Sequence, residues 1–393
     1  MRRIYMDYTA TTPVDKRVVE AMMPYFGGAF GNASSIHSFG REAKSALEDS
    51  REKIAGLIGA RPSELYFTSG GTESDNSAIA GIAAKYSGKD RKHLVVSSVE
   101  HHAVLHAAKS LESSGFSVAF LNVDSHGFIS PDELRSALTK ESFLVSIIHA
   151  NNEIGTIQNL SALAAIAHEN GSLFHTDAVQ SFGKTKFSVT ETGVDLASFT
   201  AHKIYGPKGI GALYIKRGID FEPMFHGGSQ ERNRRPGTES VPLAAGYAAA
   251  AELAVKELDG EHERLTALNA LMRRRIEAEV RGALFNSPEV GSVPHILSVS
   301  IDSREVEIDG EALIINMDLE GIAVTSGSAC SSGSLQPSHV IKALGRDDET
   351  TMATVRFSIG RLTTEDEVKT AMDVFAKVVG KIGKRKKLSS AVS

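Results

Sequence analysis

Short apolar runs alternate with helical patterns between about residues 60 and 215, and this alternation restricts the fold more than any other feature. Most of the runs consist of β-branched or aromatic residues, and several lack a polar residue at every second position. They lie at residues 65–67, 94–96, 118–123, 143–148, 173–174, 196–199 and 212–215. Such strands are buried on both faces, as in a mostly parallel sheet that is covered by helices. This region therefore predicts a three-layer α/β domain.

The pattern changes after about residue 240. A long helical region, rich in alanine and then in arginine and glutamate, covers residues 241–280. Strand-like runs then alternate with helical stretches, and these runs lie at residues 295–301, 322–325 and 354–357. We interpret this part as a second, smaller α+β domain that the chain enters along a long helix.

Composition excludes several classes of protein. The chain has 393 residues, a formal net charge of -5 and no basic domain, so nucleic acid is not expected as a partner. Its densest cationic run, residues 384–387, is expected to be a solvated helix end. No apolar stretch reaches the length of a membrane span, and no signal peptide is visible. The single cysteine cannot form an internal disulfide, so a cytoplasmic location is expected.

The segment TSGGTE, at residues 68–73, directly follows a strand-like run. Its two glycines allow the backbone to approach a ligand, and Thr72 opens a helix whose free N–H groups and dipole favour an anion. Taken alone, the segment also fits a simple glycine turn with Thr72 as the helix N-cap.

Two further polar segments follow predicted strands. In HTDAVQ, at residues 175–180, Asp177 is suited to pair with a protonated ring nitrogen and Gln180 to donate to a ring oxygen. In TAHK, at residues 200–203, Lys203 stands at a half-buried strand end, which lowers the pKa of an amine and favours imine formation. Each also has a simpler interpretation: Asp177 as a helix cap and Lys203 as a solvent-facing lysine.

Two other segments carry reactive side chains. His101, in VEHH at residues 99–102, follows a strand at a point where an imidazole could lie flat on a planar ring. No matching ligand set follows it, so a metal site is not expected. Cys330 lies among small residues at 325–334, which is unlike a core cysteine and typical of a loop that can present a thiol. An incidental exposed cysteine is the alternative.

In this order and spacing, the motifs resemble the cysteine desulfurases, pyridoxal-phosphate enzymes of the aspartate-aminotransferase fold (fold type I). The similarity is closest to the group with a long cysteine loop that serves iron–sulfur cluster assembly. The matching segments lie at residues 7–13, 68–76, 149–155, 198–211, 226–228 and 326–345. The resemblance implies a homodimer and two domains in each chain. These are a large cofactor-binding domain of residues 14–256 and a small domain of residues 1–13 and 257–393, with a mobile cysteine loop at about 326–336.

The resemblance also assigns roles to individual residues. Lys203 would hold the cofactor as an imine, Asp177 would pair with its ring nitrogen, and Gln180 would contact its ring hydroxyl. His101 would stack on the ring and move protons, and Cys330 would accept the sulfur. The remaining expected contacts are to the phosphate (Gly71, Thr72, Thr200, His202 and, from the partner subunit, Thr238) and to the substrate (Asn152, also near the cofactor, and Arg356, paired with the carboxylate).

The implied reaction converts L-cysteine into L-alanine and leaves a persulfide on Cys330, which passes sulfur to an iron–sulfur scaffold or another acceptor. Only the thiolate of Cys330 is reactive, so its local environment matters. A selenocysteine lyase, a related class-V aminotransferase and a catalytically inactive sulfur-delivery module are the alternatives. Retention of Lys203 and Asp177 argues against the inactive module. Whether Cys330 also ligates a transient cluster stays open.

The chain departs from the family pattern at a few positions. Thr200 stands where serine is usual, Gly71 where alanine is common and Ala201 where glycine is common. The basic tail lacks the segment that bacterial members commonly use to dock a scaffold protein, so the docking surface is left undefined.

Overall fold

A computed structural model describes residues 3–88, 90–326 and 336–385. The strands are β1 (Ile4–Tyr5), β2 (Leu65–Thr68), β3 (His93–Ser97), β4 (Ser117–Leu121), β5 (Ser142–Ser146), β6 (Leu173–Asp177), β7 (Leu196–Thr200), β8 (Gly211–Ile215), β9 (Ala283–Phe285), β10 (Ile296–Ile301), β11 (Val306–Glu307), β12 (Ile322–Ala323), β13 (Thr354–Ser358) and β14 (Lys384–Arg385).

The helices are α1 (Lys16–Met22), α2 (Pro24–Gly27), α3 (Ser38–Leu57), α4 (Gly71–Ala84), α5 (His102–Glu112), α6 (Pro131–Ala137), α7 (Leu160–Glu169), α8 (Val189–Thr192), α9 (Val241–Lys256), α10 (Leu258–Glu279), α11 (Gly310–Leu319), α12 (His339–Ala343), α13 (Asp348–Met352) and α14 (Glu365–Ile382). Short 3₁₀ turns occupy Pro62–Glu64, Ala201–Lys203 and Gln230–Asn233.

Seven strands form the large sheet in the order β2-β8-β7-β6-β5-β3-β4. β8 runs antiparallel to both of its neighbours, and the other adjacent pairs are parallel. In β3, Val95 joins a core with α3, α7 and α9, whereas Leu94 and Val96 join another core with α4 and α5. Both faces of the sheet are thus covered, which explains the continuous apolar runs and confirms the predicted three-layer α/β fold.

The C-terminal part has a sheet and a core of its own. β9, β10 and β13 form an antiparallel sheet, and β1 pairs in parallel with β12. Ile4 and Met6 pack in the same core as Phe357 and Phe375, so the start of the chain joins the C-terminal part. The predicted boundaries of the two domains stay a prediction.

The predicted helical region at residues 241–280 is helical, and it consists of two helices that meet at Glu257. The Glu257 carboxylate forms ion pairs with Arg17 and Arg361. These residues are distant in the sequence, so a local pattern does not reveal the contacts. In the basic run, α14 ends before Lys384, and residues 384–385 pair with β11 as a strand instead of ending a helix. Residues 386–387 lie outside the described ranges. None of the described helices is both long and apolar enough to cross a membrane.

Candidate active site

A cavity of about 380 Å³ opens where β6 and β7 reach their carboxyl ends, the edge at which open α/β sheets bind ligands. It gathers ten of the residues that the sequence predicts for a functional site. They are Gly71, Thr72, His101, Asn152, Asp177, Gln180, Thr200, His202, Lys203 and Arg356.

Lys203 projects into this cavity from the 3₁₀ turn that directly follows β7. Its amine donates to the carbonyl oxygens of Thr9 and Ala10, the latter over 2.7 Å. Burial and then the positive charge of Arg356 lower the pKa of Lys203 to about 8. A lysine with such a pKa is still mostly protonated at neutral pH, but far more of it is neutral than of an ordinary lysine, and the neutral form acts as a nucleophile or a base.

Asp177 ends β6 and accepts a hydrogen bond from the Val179 N–H over 2.8 Å. Burial raises its pKa to about 6, so the carboxylate is still charged at neutral pH. Asp75 lies in the same wall, and burial together with Asp177 raises the pKa of Asp75 well above its usual range. Two adjacent buried carboxyl groups do not both ionise readily, so we assign the proton to Asp75 and the charge to Asp177.

His101 is the N-cap of α5, and its Nδ1 accepts from the Ala103 N–H over 3.1 Å. Burial and then the charge of Lys203 lower the pKa of His101 to about 4, so the ring is neutral. A neutral imidazole that accepts at Nδ1 carries its proton on Nε2. His101 therefore presents one N–H group that can be used in proton transfer.

One end of the cavity is suited to an anion. α4 begins at Gly71, so its free N–H groups and the Thr72 hydroxyl lie beside the cavity. A Cβ atom on residue 71 would lie 2.7 Å from Val179 Cγ2, so any other residue here would require Val179 to shift. Thr200 and His202 complete this wall, and burial lowers the pKa of His202 to about 4.

Arg356, on β13, brings the C-terminal sheet to the cavity. It donates from Nη1 to Asn152 O over 2.8 Å and from Nη2 to Asp7 Oδ1 over 2.9 Å. Both terminal nitrogens thus already hold protein oxygens. A substrate carboxylate would have to share or displace these contacts.

Buried polar atoms without a hydrogen-bond partner cluster in the cavity wall. They are Asp75 Oδ1, Glu100 Oε2, Asn152 Oδ1 and Arg356 Nε. Because buried polar groups are normally paired, this cluster indicates a polar ligand. A helix start suited to an anion, a carboxylate and an amine of lowered pKa in one cavity fit pyridoxal phosphate.

Thr238 is the one predicted site residue of the described ranges that does not line this cavity. Thr238 lines a separate cavity of about 160 Å³ together with Arg235. Cys330 lies outside the described residues. Among the described residues, no group of three or more histidine, cysteine, aspartate or glutamate side chains is arranged to hold a metal ion.

Sequence reasoning missed several residues of the wall. Asp7, Thr9 and Ala10 come from the first turn of the chain, and His339 comes from the start of α12. Asp7, Thr9 and Ala10 stand within the N-terminal segment of the family resemblance, which is the signal that could have identified them. Asp75 likewise stands within the matching segment that follows β2.

Comparison with known proteins agrees with this geometry. Residues 4–370 match the family model for class-V aminotransferases. A cysteine desulfurase IscS of Dictyoglomus turgidum is 48% identical over 381 residues, which cover 97% of this chain and 95% of that protein. These matches confirm the resemblance that the sequence motifs predict.

Solved structures extend the comparison to the fold. A NifS-like protein superposes with a TM-score of 0.90 at 37% identity, covering 97% of this chain and 100% of that one. A structure described as SspA in complex with cysteine gives a TM-score of 0.80 at 36% identity, covering 90% and 98% of the two chains. The similarity therefore includes both the large sheet and the C-terminal part.

Proposed function

The chain belongs to the class-V aminotransferase family, and on this premise we propose that it is a cysteine desulfurase that depends on pyridoxal phosphate. It takes sulfur from L-cysteine and releases L-alanine. The observation that carries the proposal is that Lys203, with a pKa lowered to about 8, and the Asp177 carboxylate line one cavity. A relative of the chain is named for this activity, and a structural neighbour is described as a complex with cysteine.

Each part of the cofactor would be held by different residues of the cavity. Lys203 would hold it covalently, Asp177 would pair with its ring nitrogen, and His101 would cover its ring. The start of α4, with Gly71 and Thr72, would hold the phosphate together with Thr200 and His202. When bound, pyridoxal phosphate supplies electron withdrawal from the substrate carbon that carries the amino group.

The protein residues then perform the proton transfers. Lys203 as a neutral amine takes the proton from Cα of the substrate, because its lowered pKa keeps the free base available. Asp177 keeps its negative charge opposite the ring nitrogen, and Asp75 holds the proton of the pair. Arg356 and Asn152 orient the substrate carboxylate.

Sulfur transfer would use Cys330. Its thiolate attacks the substrate sulfur, and the bond between that sulfur and Cβ breaks with its electron pair moving to the carbon skeleton. The skeleton takes up one proton at Cβ and regains the Cα proton to become alanine. The sulfur stays on Cys330 as a persulfide and passes to an iron–sulfur scaffold protein or another acceptor.

A homodimer is part of the proposal. Four large apolar side chains near the N-terminus, Phe26, Phe30, Ile36 and Phe39, have exposed fractions of 60%, 66%, 92% and 52%. The ring centroids of Phe30 and Phe39 lie 5.8 Å apart, and exposed apolar side chains that lie together mark a contact with another protein. A second copy of the chain would cover these side chains and bring Thr238 to the phosphate of its partner. We place the enzyme in the cytoplasm, where a lone cysteine stays reduced.

Product analysis tests the function. The protein loaded with pyridoxal phosphate is incubated with L-cysteine and a thiol reductant, and alanine and sulfide are measured. Equal amounts of both are expected, with none from Lys203→Ala and native amounts from Lys208→Ala, an exposed lysine of the same segment. Amino transfer to a 2-oxo acid, or release of selenide from selenocysteine without sulfide from cysteine, would point to the alternative enzymes.

A further inference from the structure

Lys184 is a partly buried lysine that the mechanism above does not use. Its amine donates to Gln180 Oε1 over 3.2 Å and lies 3.2 Å from His295 Nε2. His295 is buried and comes directly before β10, so Lys184 connects the wall of the cofactor cavity with the C-terminal part of the chain.

Lys184 and Thr9 together determine how the amide of Gln180 is turned. A lysine amine carries hydrogens in both protonation states, so the Gln180 atom that faces it is the carbonyl oxygen. The Thr9 carbonyl can only accept, so the Gln180 atom that faces it, over 3.0 Å, is the nitrogen. The Gln180 nitrogen carries two hydrogens, and Thr9 uses one of them. The other is left for a ligand in the cavity that Gln180 lines.

The charges around Lys184 agree with a positioning role. In the described ranges, no carboxylate oxygen lies within 4.0 Å of its amine, so it does not serve as a partner in an ion pair. Burial and then the charges of Lys203 and Arg356 lower the pKa of Lys184 to about 7. Burial also lowers the pKa of His295 well below its usual range, so that ring is neutral. In either protonation state the Lys184 amine keeps a hydrogen for Gln180.

We propose that Lys184 is a positioning residue that holds the Gln180 amide with its nitrogen toward the cavity, so that an N–H group meets the ring oxygen of the cofactor. This inference rests on the proposed function. Without Lys184 the carbonyl oxygen of Gln180 loses its partner, and the amide is free to turn its oxygen toward an oxygen of the ligand.

The test measures the affinity of the apoprotein for pyridoxal phosphate by absorbance titration. Lys184→Met removes the donor at similar length and is expected to weaken binding about tenfold, the effect of a hydrogen bond to a charged group. Gln180→Leu should weaken binding by a similar factor, and the double variant should be no weaker than Gln180→Leu alone. Lys186→Met is the matched control, since that neighbouring side chain is 84% exposed, and it should bind as the native protein does.

Lys184→Gln covers the case in which Lys184→Met does not fold, because glutamine retains an N–H donor. Its affinity should be closer to native than that of Gln180→Leu. Three results would overturn the positioning role. The first is that the losses of affinity add in the double variant, and the second is native binding by Lys184→Met. The third is a Lys184→Gln variant that folds but binds as weakly as Gln180→Leu. If the native protein bound no pyridoxal phosphate at all, the proposed function would fail instead.

Discussion

Arg356 donates to Asp7 Oδ1 over 2.9 Å, and this contact joins the C-terminal sheet to the start of the chain at the cavity wall. The same guanidinium donates to Asn152 O over 2.8 Å. Arg356 is only 5% exposed, so its orientation is set by the protein before a substrate arrives. Such preorganisation lowers the entropic cost of orienting a substrate.

Removal of this guanidinium should weaken substrate binding. Arg356→Gln is expected to raise KM for L-cysteine about 100-fold, because truncating a buried charged group that pairs with a carboxylate costs about 3 kcal/mol. Steady-state kinetics measure the effect. Arg304→Gln, which removes a side chain that is 77% exposed, is the control and should keep the native KM. An unchanged KM in Arg356→Gln would exclude a carboxylate contact.

Covalent attachment of pyridoxal phosphate should depend on pH through Lys203. Its pKa is lowered from 10.5 to about 8 by burial and by Arg356, while Asp177 and Asp7 act in the opposite direction. Because the neutral amine reacts, the attachment rate should rise with pH up to about 8 and then level off. Stopped-flow absorbance after mixing the apoprotein with the cofactor measures this rate. A rate that keeps rising to pH 10 would show an ordinary lysine.

A buried ion pair should contribute strongly to stability. The Arg51 guanidinium contacts both carboxylate oxygens of Glu231, over 2.6 and 2.7 Å, and Glu231 also accepts from the Phe67 N–H. Glu231, Arg232 and Asn233 have positive φ angles, which are unfavourable for residues other than glycine. The pair therefore holds a strained turn in the segment that leads to Thr238.

Glu231→Gln should lower the free energy of unfolding by about 3 kcal/mol, because the buried Arg51 loses its buried carboxylate and keeps only the more exposed Glu48 as an ion-pair partner. Urea denaturation of the apoprotein measures this change. Lys53→Ala removes a pair with Glu252 in which the side chains are 51% and 45% exposed, and it should cost less than about 1 kcal/mol. Equal effects of the two variants would show that burial does not strengthen the Arg51 pair.

Mixed dimers test whether Thr238 serves the partner subunit. Thr238→Val alone should weaken cofactor binding about fivefold by removing one hydrogen bond. Subunits with Lys203→Ala are mixed with subunits with Thr238→Val and allowed to exchange. If Thr238 acts across the interface, each mixed dimer regains one site of native affinity, since the intact Thr238 and Lys203 then meet. If Thr238 acts within its own chain, no site of native affinity appears.

The parts of the site that the sequence predicts are those placed by local order. Asp177 and Lys203 directly follow runs of buried strand residues, and parallel strands bring their carboxyl ends to one edge of the sheet. Gly71 and Thr72 follow the same rule at the start of α4. Hence the sequence alone is sufficient to predict the fold class and most residues of the cavity wall.

The remaining parts depend on contacts between distant residues. Lys203 meets Thr9, 194 positions earlier, and Lys184 meets His295, 111 positions later. Neither contact leaves a periodic pattern in the sequence. The first requires the chain start to pack on the large sheet, and the second requires the C-terminal part to do so. The break at Glu257 has the same origin, since Arg17 and Arg361 hold its carboxylate from other elements.

Mass spectrometry of the protein after incubation with L-cysteine shows whether Cys330 receives the sulfur. The peptide containing Cys330 is expected to gain the mass of one sulfur atom, a reductant should remove it, and Lys203→Ala protein should show no gain. Cys330→Ser protein should lose sulfide release while it still binds pyridoxal phosphate. Undiminished sulfide release by Cys330→Ser, with no added sulfur on the native protein, would contradict a persulfide mechanism.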